Sequence, residues 1–289
     1  MTELFLIIFF ISVLLIFLGS GVWVALSMIG VSAFGMLIFT SRPVGDAMAT
    51  TIWGTSSSWT LTALPLFVWM GEILYRTKLS ENLFKGLAPW MARLPGGLIH
   101  VNVVGCALFA AISGSSAATV ATVGKMSIPE LRKRKYPEKL LLGSLAGSGT
   151  LGLLIPPSII LIIYGVTVQE SIAKLFIAGI IPGIMIAIFF MFYVIGWSII
   201  NKKSMPKVQE SFSFSKKMKD SMQLIPVILL ITSVIGSIYI GIATATEAAS
   251  LGVVGALILS FFQKSLSKES FKLSLLGATK TSCMIAFIL

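Results

Sequence analysis

Charged side chains are missing from five long stretches of this 289-residue chain. No Asp, Glu, Lys or Arg falls between Leu4 and Ser41, Ala47 and Gly71, Leu140 and Gln169, Leu175 and Ile200, or Leu224 and Thr246. A helix needs about 20 mostly apolar residues to cross the hydrocarbon core of a bilayer, and each stretch reaches that length. The first is long enough for two crossings, with Gly19-Ser20-Gly21 as the turn between them. The pattern therefore predicts an all-α polytopic membrane protein.

Composition agrees. Apolar residues make up 56%, charged residues 11%, and the mean hydropathy is +0.97, whereas a soluble domain carries about 25% charged residues. The net charge of +11 is not a nucleic-acid signal, because the basic residues sit in short segments between the apolar runs. One cluster holds Lys125, Arg132, Lys133, Arg134, Lys135 and Lys139. Another holds Lys202, Lys203, Lys207, Lys216, Lys217 and Lys219. No aromatic or RNA-binding motif accompanies them; they follow the positive-inside distribution of cytoplasmic loops.

Placing both clusters in the cytoplasm makes the count consistent. The segment from Leu140 to about Thr167 goes out and Leu175–Ile200 returns. Leu224 to about Tyr239 goes out again, and Ala248–Phe262 returns to Lys264, Lys268 and Lys272. Trp59–Tyr75 ends inward at Arg76, Lys78 and Lys85. The uncharged run from Gly96 to Gly124 then begins after Arg93 and ends at Lys125, both on the inner side. A re-entrant hairpin, with its tip near Ser113-Gly114-Ser115-Ser116, removes the conflict. Arg42, Asp46 and the N-terminus fall outside. The first run is an uncleaved helix and not a signal peptide, since its start carries Glu3, no Lys or Arg, and no Ala-x-Ala site follows. The last apolar run, Ser282 to Leu289, is too short to cross, which points to a piece of a longer protein.

Two segments carry candidate chemistry. Ser113-Gly114-Ser115-Ser116 favours a chain break over a continued helix, and non-helical backbone at membrane depth persists where it is buried or lines a cavity. The second is Gly147-Ser148-Gly149-Thr150-Leu151-Gly152-Leu153-Leu154-Ile155-Pro156-Pro157-Ser158. Proline has no N–H for the carbonyl four residues back, so Pro156 frees the Gly152 carbonyl and Pro157 frees that of Leu153. Freed carbonyls beside a Gly-rich stretch form a candidate cation site, the device of broken helices in secondary transporters.

Other polar residues have simpler readings. Glu72 lies four residues before Arg76 and suits an interfacial ion pair as well as an intramembrane role. Glu247 follows Thr244 at N-cap spacing. Gly143-xxx-Gly147 and Gly179-xxx-Gly183 read as helix contacts. His100 has no Cys or second His near it, and Cys106 and Cys283 lie in apolar surroundings without CxxC spacing. Gly-x-Ser-x-Gly, His-Glu-x-x-His and a phosphate loop are all missing, so ATP hydrolysis and the common hydrolytic chemistries are not expected.

The string Gly105 to Gly124, with Ala-Ile-Ser-Gly-Ser-Ser-Ala-Ala-Thr at its centre, resembles the first hairpin of the large membrane subunit of tripartite ATP-independent periplasmic (TRAP) transporters. Gly149-Thr-Leu-Gly-Leu-Leu-Ile-Pro-Pro-Ser158 is similar to the helix break that follows it in that family. Leu64-Pro-Leu-Phe-Val-Trp-Met-Gly71 and Ala245-Thr-Glu-Ala-Ala249 also match, although Ala245 stands where Pro is usual. The resemblance implies a Na⁺-driven elevator transporter of two inverted repeats, each with a re-entrant hairpin. Its implied partners are a small four-helix membrane subunit and a periplasmic substrate-binding protein that delivers C4-dicarboxylates, sialic acids or related small carboxylates. Carried onto this chain, Ser113, Ser116, Gly152, Ile155 and Pro157 resemble one Na⁺ site, with Ser115 and Thr150 beside the substrate. No cofactor other than the coupling ion is implied. Nothing here matches the family's second hairpin, so a second Na⁺ site and half the substrate pocket are not expected within these residues.

Together these readings divide the chain into scaffold helices (1–95), a transport core (96–169) and a return helix opening a second inverted repeat (170–289). The core comprises a hairpin (96–128), a cytoplasmic loop (129–139) and a broken helix (140–169). The expected setting is the bacterial inner membrane, with the N-terminus periplasmic. The runner-up is an ion-coupled anion or dicarboxylate transporter that needs no binding protein.

Overall fold

The computed structural model describes residues 3–77, 79–206 and 214–288; Lys78, Lys207 and Leu289, used above for topology, lie outside them. All regular structure among the described residues is helical. Helices α1 (Glu3–Gly19) and α2 (Val24–Phe39) form the expected pair, turning at Ser20-Gly21, where Gly21 takes φ +81°. The run from Ala47 to Gly71 is not one helix. It divides into α3 (Val44–Ser56) and α4 (Ala63–Tyr75), separated by a 3₁₀ turn over Trp59–Thr62. The division falls at Ser57, whose Oγ donates to the Trp53 carbonyl at 2.6 Å where α3 ends.

Helix α4 is the axis of the core. Its buried face carries Ala63, Leu64, Phe67, Val68, Met70, Gly71, Ile73 and Leu74, covered by the later helices α6 (His100–Ser113), α13 (Ala245–Phe262) and α14 (Lys268–Ile288). Phe67, 1% exposed, meets the ring of Phe176 edge-on with centroids 5.9 Å apart. Between them in sequence come the amphipathic α5 (Leu79–Met91), α7 (Ser116–Lys133), α8 (Glu138–Gly149), α9 (Ile159–Val168), the long α10 (Ile172–Ile200), the short basic α11 (Phe214–Ser221) and α12 (Ile225–Tyr239). Large apolar side chains such as Ile181 and Phe192 are 77% and 63% exposed on α10. Such a surface is stable against lipid and not against water. Helices α10, α13 and α14 are each long and apolar enough to cross a membrane.

Two charge-based boundaries shift. Lys268 and Lys272 stand inside α14 and not in a loop; of that trio only Lys264 occupies the turn. The run from Ser282 belongs to the same 21-residue helix. The charge count hid this helix, because Lys272 and Lys280 interrupt its apolar sequence. Likewise α7 continues through Pro129 to Lys133, so the loop expected over 129–139 contracts to Arg134–Pro137. Arg132 bridges that turn to Glu138 with Nε 3.0 and 3.2 Å from the carboxylate oxygens. The guanidinium holds the Glu138 carboxyl below its ordinary range, so the link is present at neutral pH. It is lost only as pH falls through that lowered value.

Two sequence readings of single acids are borne out. Glu72 pairs with Arg76 at 3.1 Å, and Glu247 closes a capping box with Thr244 at the start of α13.

Replacing Phe67 with Ala removes both core volume and the contact with Phe176. It should cost about 3 kcal/mol, while Phe192→Ala on the exposed face costs much less. Thermal unfolding of the purified protein in detergent checks the difference.

Candidate functional site

Helix α6 ends because Gly114 takes φ +58° and its N–H returns to the Ala110 carbonyl at 3.0 Å. A left-handed residue at that position is a usual helix stop, and glycine adopts it without a Cβ clash. One residue later Ser115 is extended and caps α7, its Oγ accepting the Ala118 N–H at 3.4 Å. The chain therefore doubles back over Gly114-Ser115. The arms lie side by side: a Cβ on Gly105 of the first would sit 3.6 Å from Val123 of the second. At 1.5 Å per residue the 14 residues of α6 span about 21 Å, less than the ~30 Å hydrocarbon core. One arm of the hairpin is therefore too short to cross by itself.

The second break lies where the proline pair requires it. Helix α8 tightens into a 3₁₀ turn over Thr150–Leu153, unwinds through Leu154–Ser158 with a cis Pro156–Pro157 bond, and resumes as α9. The Gly152 carbonyl receives no donor among the described residues, as expected: Pro156 has no N–H, and the Ile155 N–H goes to Leu151 at 2.8 Å. For Leu153 the expectation fails. Its carbonyl is taken by the Ser158 hydroxyl at 2.6 Å, and the same serine caps α9.

The two breaks meet. The Ile159 N–H donates to the Gly114 carbonyl at 3.1 Å, joining the start of α9 to the hairpin tip. A Cβ on Gly152 would stand 2.8 Å from the Ser116 nitrogen and 2.9 Å from the Ser115 carbonyl carbon. One on Gly114 would stand 2.6 Å from the Pro157 oxygen. Gly114 and Gly152 let two irregular backbones touch, and Gly149 lets the end of α8 close on the Val120 side chain of α7.

Of the residues singled out in the sequence, the structure brings Ser113, Ser115, Ser116, Gly152 and Pro157 into one small region. Ser113 is buried; its Oγ lies 3.0 Å from Thr119 Oγ1 and 3.3 Å from both the N and the O of Ser115. The Ser113 hydroxyl thus braces the tip. The Ser113 carbonyl receives no donor among the described residues, because the chain turns before a helical partner arrives. Ile155 is set against α10 instead: a Cβ on Gly183 would meet its side chain at 2.7 Å. Thr150 is exposed, and its hydroxyl turns back to the Gly147 carbonyl at 2.7 Å; nothing joins it to Ser115. Gly179 and Gly183 do mark a helix contact, with Leu154–Ile155 lying on them. Gly147 meets Phe190 of α10, but Gly143 faces nothing within 4 Å, so that pair is only half used.

Three contributors escaped the sequence reading. Thr119 is fully buried and donates to the Ser115 carbonyl at 2.7 Å. Its signal is the spacing of four from Ser115, which returns a side chain to the first turn of the helix. Gly71 of α4 lets Ser113 approach; a Cβ there would lie 2.8 Å from the Ser113 Cα. Asn102 on α6 donates to the Leu141 carbonyl at 3.2 Å and the Ser144 hydroxyl at 3.0 Å, tying the hairpin's first arm to α8. For Gly71 and Asn102, isolated small or polar character in apolar helices gave no cue to what they face.

Chemically the region sets free carbonyls at the ends of α6 and of the 3₁₀ turn beside the N-termini of α7 and α9. Helix C-termini favour cations and N-termini favour anions, so one small volume offers ends of both signs.

Comparison with known proteins follows the same lines. Residues 9–289 match the family model described as tripartite ATP-independent periplasmic transporter, DctM component. The chain is 33% identical over 258 residues to the C4-dicarboxylate TRAP transporter large permease protein DctM of Pseudomonas aeruginosa, covering 89% of this chain and 60% of that protein. It is 32% identical over 277 residues to the sialic acid TRAP transporter large permease protein SiaM of Vibrio cholerae, covering 94% and 63%. Against the isethionate TRAP transporter permease protein DctMQ of Oleidesulfovibrio alaskensis it is 32% identical over 281 residues, covering 95% and 43%. The chain thus spans about 60% of the length of the first two of these relatives and less of the third.

Because the Gly152 Cβ would strike backbone, Gly152→Ala should destabilise the protein by about 1–3 kcal/mol. Gly143→Ala, in open space on a helix, should be neutral or stabilising by up to about 1 kcal/mol. The unfolding midpoints of the two variants in detergent, measured beside the parent, check this contrast.

Proposed function

This chain belongs to the DctM-component family of tripartite ATP-independent periplasmic transporters, and from that premise we propose that it supplies the first ion site and part of the substrate site of a Na⁺-coupled carboxylate importer. Relatives named for C4-dicarboxylates and for sialic acid support a small carboxylate as cargo. The observation that carries the proposal is the contact of the hairpin tip with the helix break, through the Ile159 N–H and the Gly114 carbonyl.

In this reading a Na⁺ ion settles among the carbonyls of Ser113, Gly152 and Pro157, with Ser116 beside them and Ile155 holding the break against α10. Carbonyls left without donors in a bilayer cost several kcal/mol each, and an ion shared among them offsets that cost. Sodium then draws the tip onto the break and fixes the α7 N-terminus. The carboxylate of the cargo meets that N-terminus near Ser115, with Thr150 turning toward it only when cargo is present.

The tip and break are joined by direct backbone contact and by the Asn102 link between α6 and α8. They therefore suit movement as one body, an elevator-type slide that exposes the site to each side in turn. The partners in this proposal are a small four-helix membrane subunit and a periplasmic binding protein; one relative carries both permease designations in a single name, DctMQ. The setting is the inner membrane with the N-terminus periplasmic, following the basic clusters.

Uptake by the complete transporter in proteoliposomes tests the site. Ser113→Ala combined with Ser116→Ala should raise the Na⁺ concentration for half-maximal uptake about tenfold, equivalent to ~1.4 kcal/mol. An unaltered Na⁺ response would remove the ion from this position.

A further inference from the structure

Beside the hairpin the protein forms an open recess of about 1290 Å³, walled by the second arm of the hairpin, the end of α4, α5, the turn between α13 and α14, the start of α14 and, through Asp220, the end of α11. Five basic residues line it (Arg76, Lys85, Lys125, Arg134 and Lys264) against three acids, Glu130, Asp220 and Glu269. Two of the cations are already matched, since Arg76 lies 3.1 Å from Glu72 and Arg134 lies 3.7 Å from Glu130. Lys85, Lys125 and Lys264 have no ion-pair partner among the described residues and remain against Asp220 and Glu269, an excess of one positive charge. They come from three separate segments, α5, α7 and the α13–α14 turn, so the fold and not local sequence brings them to one concavity. All three ammonium groups are open to solvent, and a recess with a positive excess draws small anions.

The cavity also lies along the hairpin. From Ser116 at the tip to Lys125 in the wall is nine residues of α7, about 14 Å along the helix. Thr122, buried on the same helix, lies between the two and lines the cavity.

We propose that this cavity is a second, weak anion site that holds a small carboxylate on the lysine-rich side of the membrane, through Lys85, Lys125 and Lys264. The inference rests on the reading of the chain as a carboxylate transporter. It adds a place for the cargo between the tip and the basic face, with water filling the remaining volume and keeping the hold loose. An acidic lipid headgroup offers the same oxyanion chemistry, and the experiment separates the two.

The purified complete transporter is titrated with succinate in choline salts at fixed ionic strength, without Na⁺ and without added lipid, and its thermal unfolding midpoint is followed. Succinate should raise the midpoint of the parent. In a K85Q/K125Q/K264Q variant the half-effective concentration should rise at least fivefold; K125Q alone, with a smaller rise, serves if the triple variant does not fold. Equal responses in parent and variant overturn the proposal. A lysine-dependent response to phosphatidylglycerol micelles with none to succinate overturns it as well, assigning the cavity to lipid. Failure of the functional reading would look different: no Na⁺-driven uptake, with the lysine-dependent succinate shift intact.

Discussion

The hydrogen bond from the Ile159 N–H to the Gly114 carbonyl joins two pieces of backbone that have each lost their helical winding. In a bilayer such backbone has no water to fall back on, and every unpaired group costs several kcal/mol. One interruption alone would be expensive. Two interruptions facing each other lower the cost, because the N-terminus of one segment serves the C-terminus of the other. The bond also decides what else must be true nearby. Gly114 and Gly152 have to lack side chains for the backbones to touch. Ser158 has to quench the Leu153 carbonyl, and Gly179 and Gly183 have to admit the unwound Leu154–Ile155 against α10.

Much of this was legible in the sequence because the features are written in residue types with strong backbone preferences. A Ser-Gly-Ser-Ser string and a Pro-Pro pair inside charge-free runs announce breaks without reference to tertiary contacts. Charge-free length located the helices, and it failed where charge and helix part company. Lys272 and Lys280 concealed α14, and a break at Ser57–Ser58 divided a run that charge alone left whole. The contact between tip and break was an inference from family resemblance and not from spacing, since the bonded Gly114 and Ile159 are 45 residues apart with a basic turn between them. The supporting partners were less visible still. Thr119, Gly71 and Asn102 are ordinary residues until the fold shows what they face.

One detail bears on mechanism. The Ser113 hydroxyl and Thr119 brace the tip from within, and the Ser113 oxygen that receives no donor among the described residues is its carbonyl. An ion at this place would therefore be held mainly by backbone, with side chains keeping that backbone in shape. Such a site is selective through geometry, and it can be assembled or dissolved by a small shift of the tip relative to the break. The lysine-lined recess adds a second charge feature on a different principle, formed by exposed ammonium groups.

A high-resolution map of the complete transporter, prepared once in sodium chloride and once in choline chloride, bears most directly on the shared-break site. The account predicts a compact density peak among the Ser113, Gly152 and Pro157 carbonyls in sodium only, with the Gly114–Ile159 bond formed. A helix running unbroken through Pro156, or no difference between the two maps at those oxygens, would contradict it.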